Sequence, residues 1–332
     1  MKLITTQENS SLKKQVMSFE FRKENFPIVY HTWVDNGNGE EFTTQELDEL
    51  NQAQLHNQYR SKYGVPFVDE IKMIREQYGL SAAKMSEILG LGPNVYRNYE
   101  NGEMPGITTG RLIQLAKDPV EFKKLIDLSS NELEAQEIER INKKVAGRLT
   151  GWDKMEYLIE ERLFGTKAPT NYNGYRVPSL EKIGMMAKYF AQQLKPFKTK
   201  MNKLLFYADF LHYSKTGYSI SGMTYVAITH GPVPKNYGGI YDRLSEEGYV
   251  DIEEVEFDDY GGEKFLNHDG EADMDFFSTS ERSAIEIVQQ KLGRLKTVDI
   301  VNVSHDELAW QQNIDQHGRI SYDYGFSLYH VE

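Results

Sequence analysis

Four polar residues on one short segment carry the clearest chemical potential in this sequence: Asn94, Arg97, Asn98 and Asn101. On a helix, positions three, four and seven apart share a face, so the four would stand side by side. Asparagine can bond adenine through N6 and N7 at once, and arginine can do the same for guanine O6 and N7. Val95, Tyr96 and Tyr99 fall on the other side and supply an apolar face to bury. The set is suited to reading base edges in a major groove. The competing reading is a helical hairpin whose outer face is merely polar.

The flanking residues decide between the two. Ser81 is a good N-cap for a first helix over 82–89, and Gly90 then supplies the positive φ of a tight turn. Ser86, four residues before Gly90, is small enough to let a second helix pack close. Gly92 and Pro93 follow, with Pro93 placed to open a second helix through Glu100 that ends at Asn101-Gly102. Small residue, turn glycine, apolar positions and amide-rich face come in the order of a helix-turn-helix, the DNA-binding reading. Between Val68 and Lys117 there are six Lys/Arg and six Asp/Glu, so the domain has no strong electrostatic footprint. A homodimer, whose two weak half-site contacts add, is therefore expected.

Other chemistry is thin. With no cysteine there are no disulfides, thiolate nucleophiles or cysteine-based zinc sites, which suits a reducing cytoplasm. The eight histidines, His31, His56, His212, His230, His268, His305, His317 and His330, show no helical metal-ligand spacing, so no metal and no cofactor is expected. No Gly-rich phosphate loop or nucleophile elbow occurs, and the expectation is a protein that is not an enzyme. The stretch 246–259, EEGYVDIEEVEFDD, carries eight carboxylates and no basic residue. It reads either as a surface complementary to a basic partner or as a solvated hairpin with an acidic outer face.

The formal net charge of −12 argues against a protein that coats nucleic acid along its length. There is no apolar run of about 18 residues and no signal-peptide pattern at the start, so a soluble, cytoplasmic, membrane-independent protein is expected. The fold class predicted is α+β, mainly α. Residues 1–65 read as a β-containing N-terminal module, with a polar, frayed start over 1–12, a hairpin turning at Lys23-Glu24-Asn25, and a helix capped by Thr43 or Thr44. Residues 66–128 hold the helix-turn-helix. Residues 129–173 read as a helical connector: a charged helix over 129–148 that could equally form a dimer seam, a second helix over 149–164, and a linker from Gly165 to Asn173. Residues 174–332 form a mainly helical domain with a short β-hairpin. Its centre is the helix capped by Thr199 and apolar over much of its circumference, followed by a candidate buried strand over 223–229 and a rigid polar loop at His230-Gly231-Pro232-Val233-Pro234.

Residues 27–117 resemble the MqsA-type antitoxins: a small β-rich module, Gly39-Glu40-Glu41-Phe42-Thr43-Thr44, Tyr-Gly-Leu-Ser at Tyr78 to Ser81, and Gly92-Pro93-Asn94 ahead of Tyr99-Glu100-Asn101-Gly102. That family's module usually carries zinc on cysteine pairs; this chain has none, so a metal-free version is expected. The family's base-reading pair falls on Asn94 and Asn98, with Arg97 beside the second. Residues 177–332 resemble the Panacea, or SocA-like, domain, through Lys203-Leu204-Leu205-Phe206-Tyr207-Ala208-Asp209, Gly222, Tyr225, His230-Gly231-Pro232-Val233-Pro234, Tyr237 and Gly248-Tyr249. That resemblance implies the neutralising half of a toxin–antitoxin pair, binding its toxin directly. Within its motifs Tyr207, Asp209, His212, Tyr225, His230, Pro232 and Tyr237 are the candidate toxin-binding residues, against the plainer reading of hydrogen-bonded structural groups.

The two resemblances together imply an antitoxin that binds a cognate protein toxin through its C-terminal domain and operator DNA through the helix-turn-helix, repressing its own operon. The alternative is a transcription regulator whose C-terminal domain senses a small ligand.

Overall fold

Alternating apolar residues make residues 10–35 a long antiparallel hairpin. Strand β1 (Ser10–Phe21) pairs with β2 (Glu24–Asp35) in a register running from Ser10 opposite Asp35 to Phe21 opposite Glu24. Arg22 and Lys23 turn the chain with φ of 50° and 69°, the left-handed pair that matches the twist of the strands. Of the expected frayed start, Ser10 to Leu12 belong to β1.

The computed structural model describes residues 7–129, 135–148, 159–160, 162–165, 168–257 and 260–331. It is mainly helical with small sheets. Two compact units form, Met1–His56 with Thr166–Glu332, and Asn57–Gly165. Among the described residues no helix is long and apolar enough to cross a membrane.

In the first unit, β2 is flanked on its far side by the short β3 (Glu41–Phe42). Helix α1 (Gln45–Tyr63) follows, with the Thr44 hydroxyl accepting from Leu47 N–H at 3.4 Å. Two amides of α1 continue the sheet where β3 stops. Asn51 accepts from His31 N–H at 2.9 Å and donates to His31 C=O at 3.0 Å; Gln54 does the same for Val29, at 2.9 and 2.8 Å. A strand edge that would otherwise show unpaired backbone groups is thus closed by side chains.

The second unit is helical: α2 (Val68–Glu76), α3 (Ala82–Ile88), α4 (Val95–Glu100), α5 (Ile107–Leu115), α6 (Pro119–Leu128) and α7 (Ala135–Arg148). Ile71, Met85, Ile88, Tyr96, Ile113, Phe122 and Ile126 share one core, and Tyr78 stacks on Phe122 at 4.1 Å. Helix α7 was expected as a connector or dimer seam. Instead Ile141 and Val145 are buried in this same core, because an apolar stripe on a charged helix is covered by the nearest core that can take it. The helix expected over 149–164 lies largely outside the described residues.

The rest of the first unit is built on two helices. Ser179 accepts from Lys182 N–H and starts α8 (Leu180–Leu194). Helix α9 (Lys198–Thr216) is buried on nearly every side, its polar Asn202, Lys203, Asp209 and His212 included, as a central helix apolar over much of its circumference predicts. Its N-cap is Phe197 rather than Thr199, so Thr199 sits inside the first turn. The expected polar loop at 230–234 is a correction. Gly231–Pro234 form β5, fully buried, in a sheet of order β5-β4-β8 with β4 (Tyr225–Ile228) and β8 (Arg319–Ile320). As an edge strand, β5 tolerates prolines that have no N–H to give a ladder. Helix α10 (Tyr237–Glu246), the hairpin β6 (Val250–Phe257) and β7 (Tyr260–Asn267), and helices α11 (Thr279–Leu292), α12 (Thr297–Asp306) and α13 (Leu308–Gln311) complete the unit. Ser278 and Glu281 form a capping box at the start of α11.

Candidate functional site

The turn between α3 and α4 is fixed from its first residue. Ser81 accepts from Lys84 N–H at 3.2 Å, Gly90 takes φ 63°, and Leu91 N–H donates to Ser86 C=O at 2.7 Å. Ser86 does more than stay small: its hydroxyl accepts from Tyr96 N–H at 3.0 Å, satisfying one of the open donors at the start of α4. Tyr96 is buried and its hydroxyl donates to Ile71 C=O at 2.8 Å, tying α4 to α2. The carboxylate of Glu100, 9% exposed, meets Arg75 at 2.6 Å, and Arg75 also donates to Leu80 C=O. Helix α4 is therefore held by both ends and its apolar face.

Of the four residues named from the sequence, Arg97 and Asn98 lie on α4 and Asn94 and Asn101 at its two ends. Asn94, Arg97, Asn98 and Asn101 are all exposed, and none of their side chains hydrogen-bonds within the described residues. One boundary is corrected: the helix starts at Val95, not Pro93. Asn94 stands at φ 66°, a conformation asparagine tolerates better than most residues and that a helix interior excludes, so Gly92 and Pro93 stay in the turn. Asn94 is thus the N-cap residue, its amide unused for capping.

The candidate residues of the C-terminal region separate into internal networks. Asp209 is fully buried and accepts from Ile220 N–H and Ser221 N–H at 2.8 Å, from the Ser221 hydroxyl, and from the Tyr225 hydroxyl at 2.8 Å. Burial pushes its pKa up, against the pull of those donors. His212 sits between the Tyr218 carbonyl, 2.7 Å from Nδ1, and the Ser280 hydroxyl, 3.1 Å from Nε2. A carbonyl only accepts, so Nδ1 carries the proton and Nε2 accepts; burial holds the ring neutral, with its pKa pushed down to about 4. Tyr207 donates to Glu307 at 3.0 Å, and Glu307, itself buried, also accepts from Tyr329 N–H at 3.1 Å. Pro232 is buried in β5. Five of the seven residues read as a binding surface are therefore scaffold, since a hydrogen-bonded polar group inside a core is already committed. His230 is exposed and Tyr237 half-buried; these two a partner can reach with the fold intact.

Sequence reasoning passed over Lys203. It is wholly buried in α9, donates to Pro232 C=O at 2.9 Å, and burial lowers its pKa to about 7. Its signal was visible: a lysine followed directly by the apolar run Leu204-Leu205-Phe206, on a helix read as central to the core, must find an acceptor when buried. The pair Lys182–Glu281 was also missed. Burial opposes ionisation of Glu281, but Lys182 and the other facing groups outweigh it and hold the carboxyl below the usual range. No chain spacing forecasts a contact between α8 and α11. Among the described residues no group of His, Asp and Glu is placed to hold a metal ion.

A buried helical core wired by polar networks and a capped helix pair with an open polar face define two kinds of domain, and the family comparisons give both. Residues 71–118 match the helix-turn-helix family, and residues 201–311 match the family described as antitoxin SocA-like, Panacea domain. The chain carries a helix-turn-helix domain and a SocA-like Panacea domain. No curated protein and no solved structure matches it.

Proposed function

We propose that this protein is an antitoxin, a binding protein rather than an enzyme, that neutralises a cognate protein toxin through its Panacea domain and represses its own operon through the helix-turn-helix. The observation that carries the reading is the joining of these two domains in one chain, at residues 71–118 and 201–311. The DNA half is supported by the exposed, uncommitted Asn94, Arg97, Asn98 and Asn101, a face able to take adenine and guanine edges. With balanced charge over that domain, operator affinity comes from two half-sites, and the working form is a cytoplasmic homodimer. The N-terminal hairpin with its helix-turn-helix makes a metal-free relative of the MqsA-type antitoxins.

Neutralisation is steric: the toxin is held through surface residues, His230 and Tyr237 among them, while Asp209, His212, Tyr207 and Tyr225 keep that surface in shape. The test is co-expression with the product of the neighbouring gene, where that product alone arrests growth. Restored growth and a stable complex, unaffected by Asn94→Ala, support the reading. A harmless neighbour that does not bind refutes it and moves the ligand-sensing regulator ahead.

A further inference from the structure

The two edges of the N-terminal sheet are treated differently. The far edge of β2 is covered by β3 and by the amides of Asn51 and Gln54. In the order β1-β2-β3, the twelve-residue β1 is the other edge, and among the described residues no strand lies against it. Long edges of this kind pair with other strands unless something blocks them. In the middle of β1 two neighbouring apolar side chains, one on each face of the sheet, are exposed: Val16 at 73% and Met17 at 39%.

The hairpin geometry says which backbone groups point out. Phe21 and Glu24 close a two-residue turn, so they form a hydrogen-bonded pair, and odd residues of β1 spend their N–H and C=O on β2. Even residues, among them Val16, Ser18 and Glu20, turn theirs to the open edge. Ser18 stands opposite Pro27, a residue with no N–H, which fits a pair that exchanges no hydrogen bonds.

We propose that β1 is a self-pairing edge: two copies of this chain join β1 to β1 antiparallel about a two-fold axis at Met17, making one continuous sheet. A two-fold perpendicular to a sheet keeps each residue on its face, so the pairs must be of like parity. The register centred on Met17 sets Val16 against Ser18 and Lys14 against Glu20 of the second copy, and the charged pair occurs twice. Opposite charges facing each other across strands stabilise the pairing. Lys14 already donates to Phe326 C=O at 3.0 Å, and an ammonium with three donors can hold a carbonyl and a carboxylate together. A register centred on Val16 would instead oppose Leu12 to Glu20 and lose the charge match. The inference rests on the homodimer reading above and names its surface.

The experiment is sedimentation velocity on the full chain across a concentration series, with three variants beside the wild type. Ser18→Pro removes an outward N–H without touching the β1–β2 ladder, and the dimer constant should weaken at least tenfold. Lys14→Glu and Glu20→Lys should each weaken it, and the double variant should recover most of the loss. Circular dichroism and toxin rescue should be unchanged in Ser18→Pro. A wild type that is monomeric throughout removes the homodimer reading and this inference together. A Ser18→Pro protein still dimeric at wild-type strength leaves the homodimer standing and overturns β1 as its surface, and a double variant no better than the worse single one overturns the Met17 register. A monomeric wild type whose toxin complex is lost in Ser18→Pro reassigns the edge to the toxin.

Discussion

Replacing Asp209 separates scaffold from surface more sharply than any other single change. In Asp209→Ala the hydroxyls of Ser221 and Tyr225 can rotate to other acceptors, but the N–H groups of Ile220 and Ser221 cannot. Leaving a buried donor unsatisfied costs about 1–3 kcal/mol, so the two together cost about 2–6 kcal/mol before any cavity is counted. Set against about 5–15 kcal/mol for a typical folded domain, that is enough to open the loop at 220–225 and to threaten the whole unit. Asp209→Asn keeps an oxygen for both N–H groups, and its NH2 can donate to hydroxyls that turn to accept; the cost should stay near 1–2 kcal/mol. Because the chain holds two units, a single melting curve is ambiguous, and hydrogen exchange of the peptide spanning 216–226 is the better readout. Alanine should abolish its protection and asparagine retain most of it, with toxin rescue following protection in both. An alanine variant with wild-type protection that no longer rescues would make Asp209 a contact residue and refute the reasoning.

Acid should weaken the first unit through its buried histidines. Burial lowers His31 and His212 to about 4 from an ordinary 6.5, so below pH 6.5 the unfolded chain takes up protons that the folded one refuses. Their stabilisation is whole above pH 6.5 and drains as pH falls towards 4, at up to about 1.4 kcal/mol per pH unit for each histidine. Urea midpoints at pH 7.5 and 5 should differ accordingly; equal midpoints would contradict the neutral-ring assignment. Ser86→Ala strands the Tyr96 N–H and should cost the helix-turn-helix unit about 1–3 kcal/mol, read as faster amide exchange in α4 and weaker operator binding. Replacing Asn94, Arg97 and Asn98 together should remove operator binding in a mobility-shift assay while the melting temperature stays put, because all three are exposed and none of their side chains hydrogen-bonds within the described residues. Operator affinity that survives the triple change would show that another surface reads DNA.

Much of the architecture was legible because it depends on neighbours in the chain. Ser81, Gly90 and the spacing of Val95, Tyr96 and Tyr99 specify the helix pair locally, and Ser179 and the apolar positions around much of α9 do the same for the C-terminal core. The failures lie where distant residues decide. Helix α7 looked like a connector because its charges outnumber its apolar residues, yet Ile141 and Val145 were enough to seat it in a core. The 230–234 segment looked like a loop because of its prolines, but an edge position in the sheet makes proline harmless there. The same blindness affected the site. Asp209, His212 and Tyr225 stood in the right motifs, and only the fold shows that donors and acceptors from 218–221 and from Ser280 already claim the first two, while Tyr225 is spent on Asp209 itself.

The measurement that tests the central claim most directly is a pull-down of the full chain with its neighbouring gene product, paired with growth on co-expression. The account predicts a stable complex and restored growth, kept when Asn94, Arg97 and Asn98 are replaced and weakened when His230 and Tyr237 are changed to charged residues. A neighbour that arrests growth regardless of this chain, with no complex recovered, would contradict it.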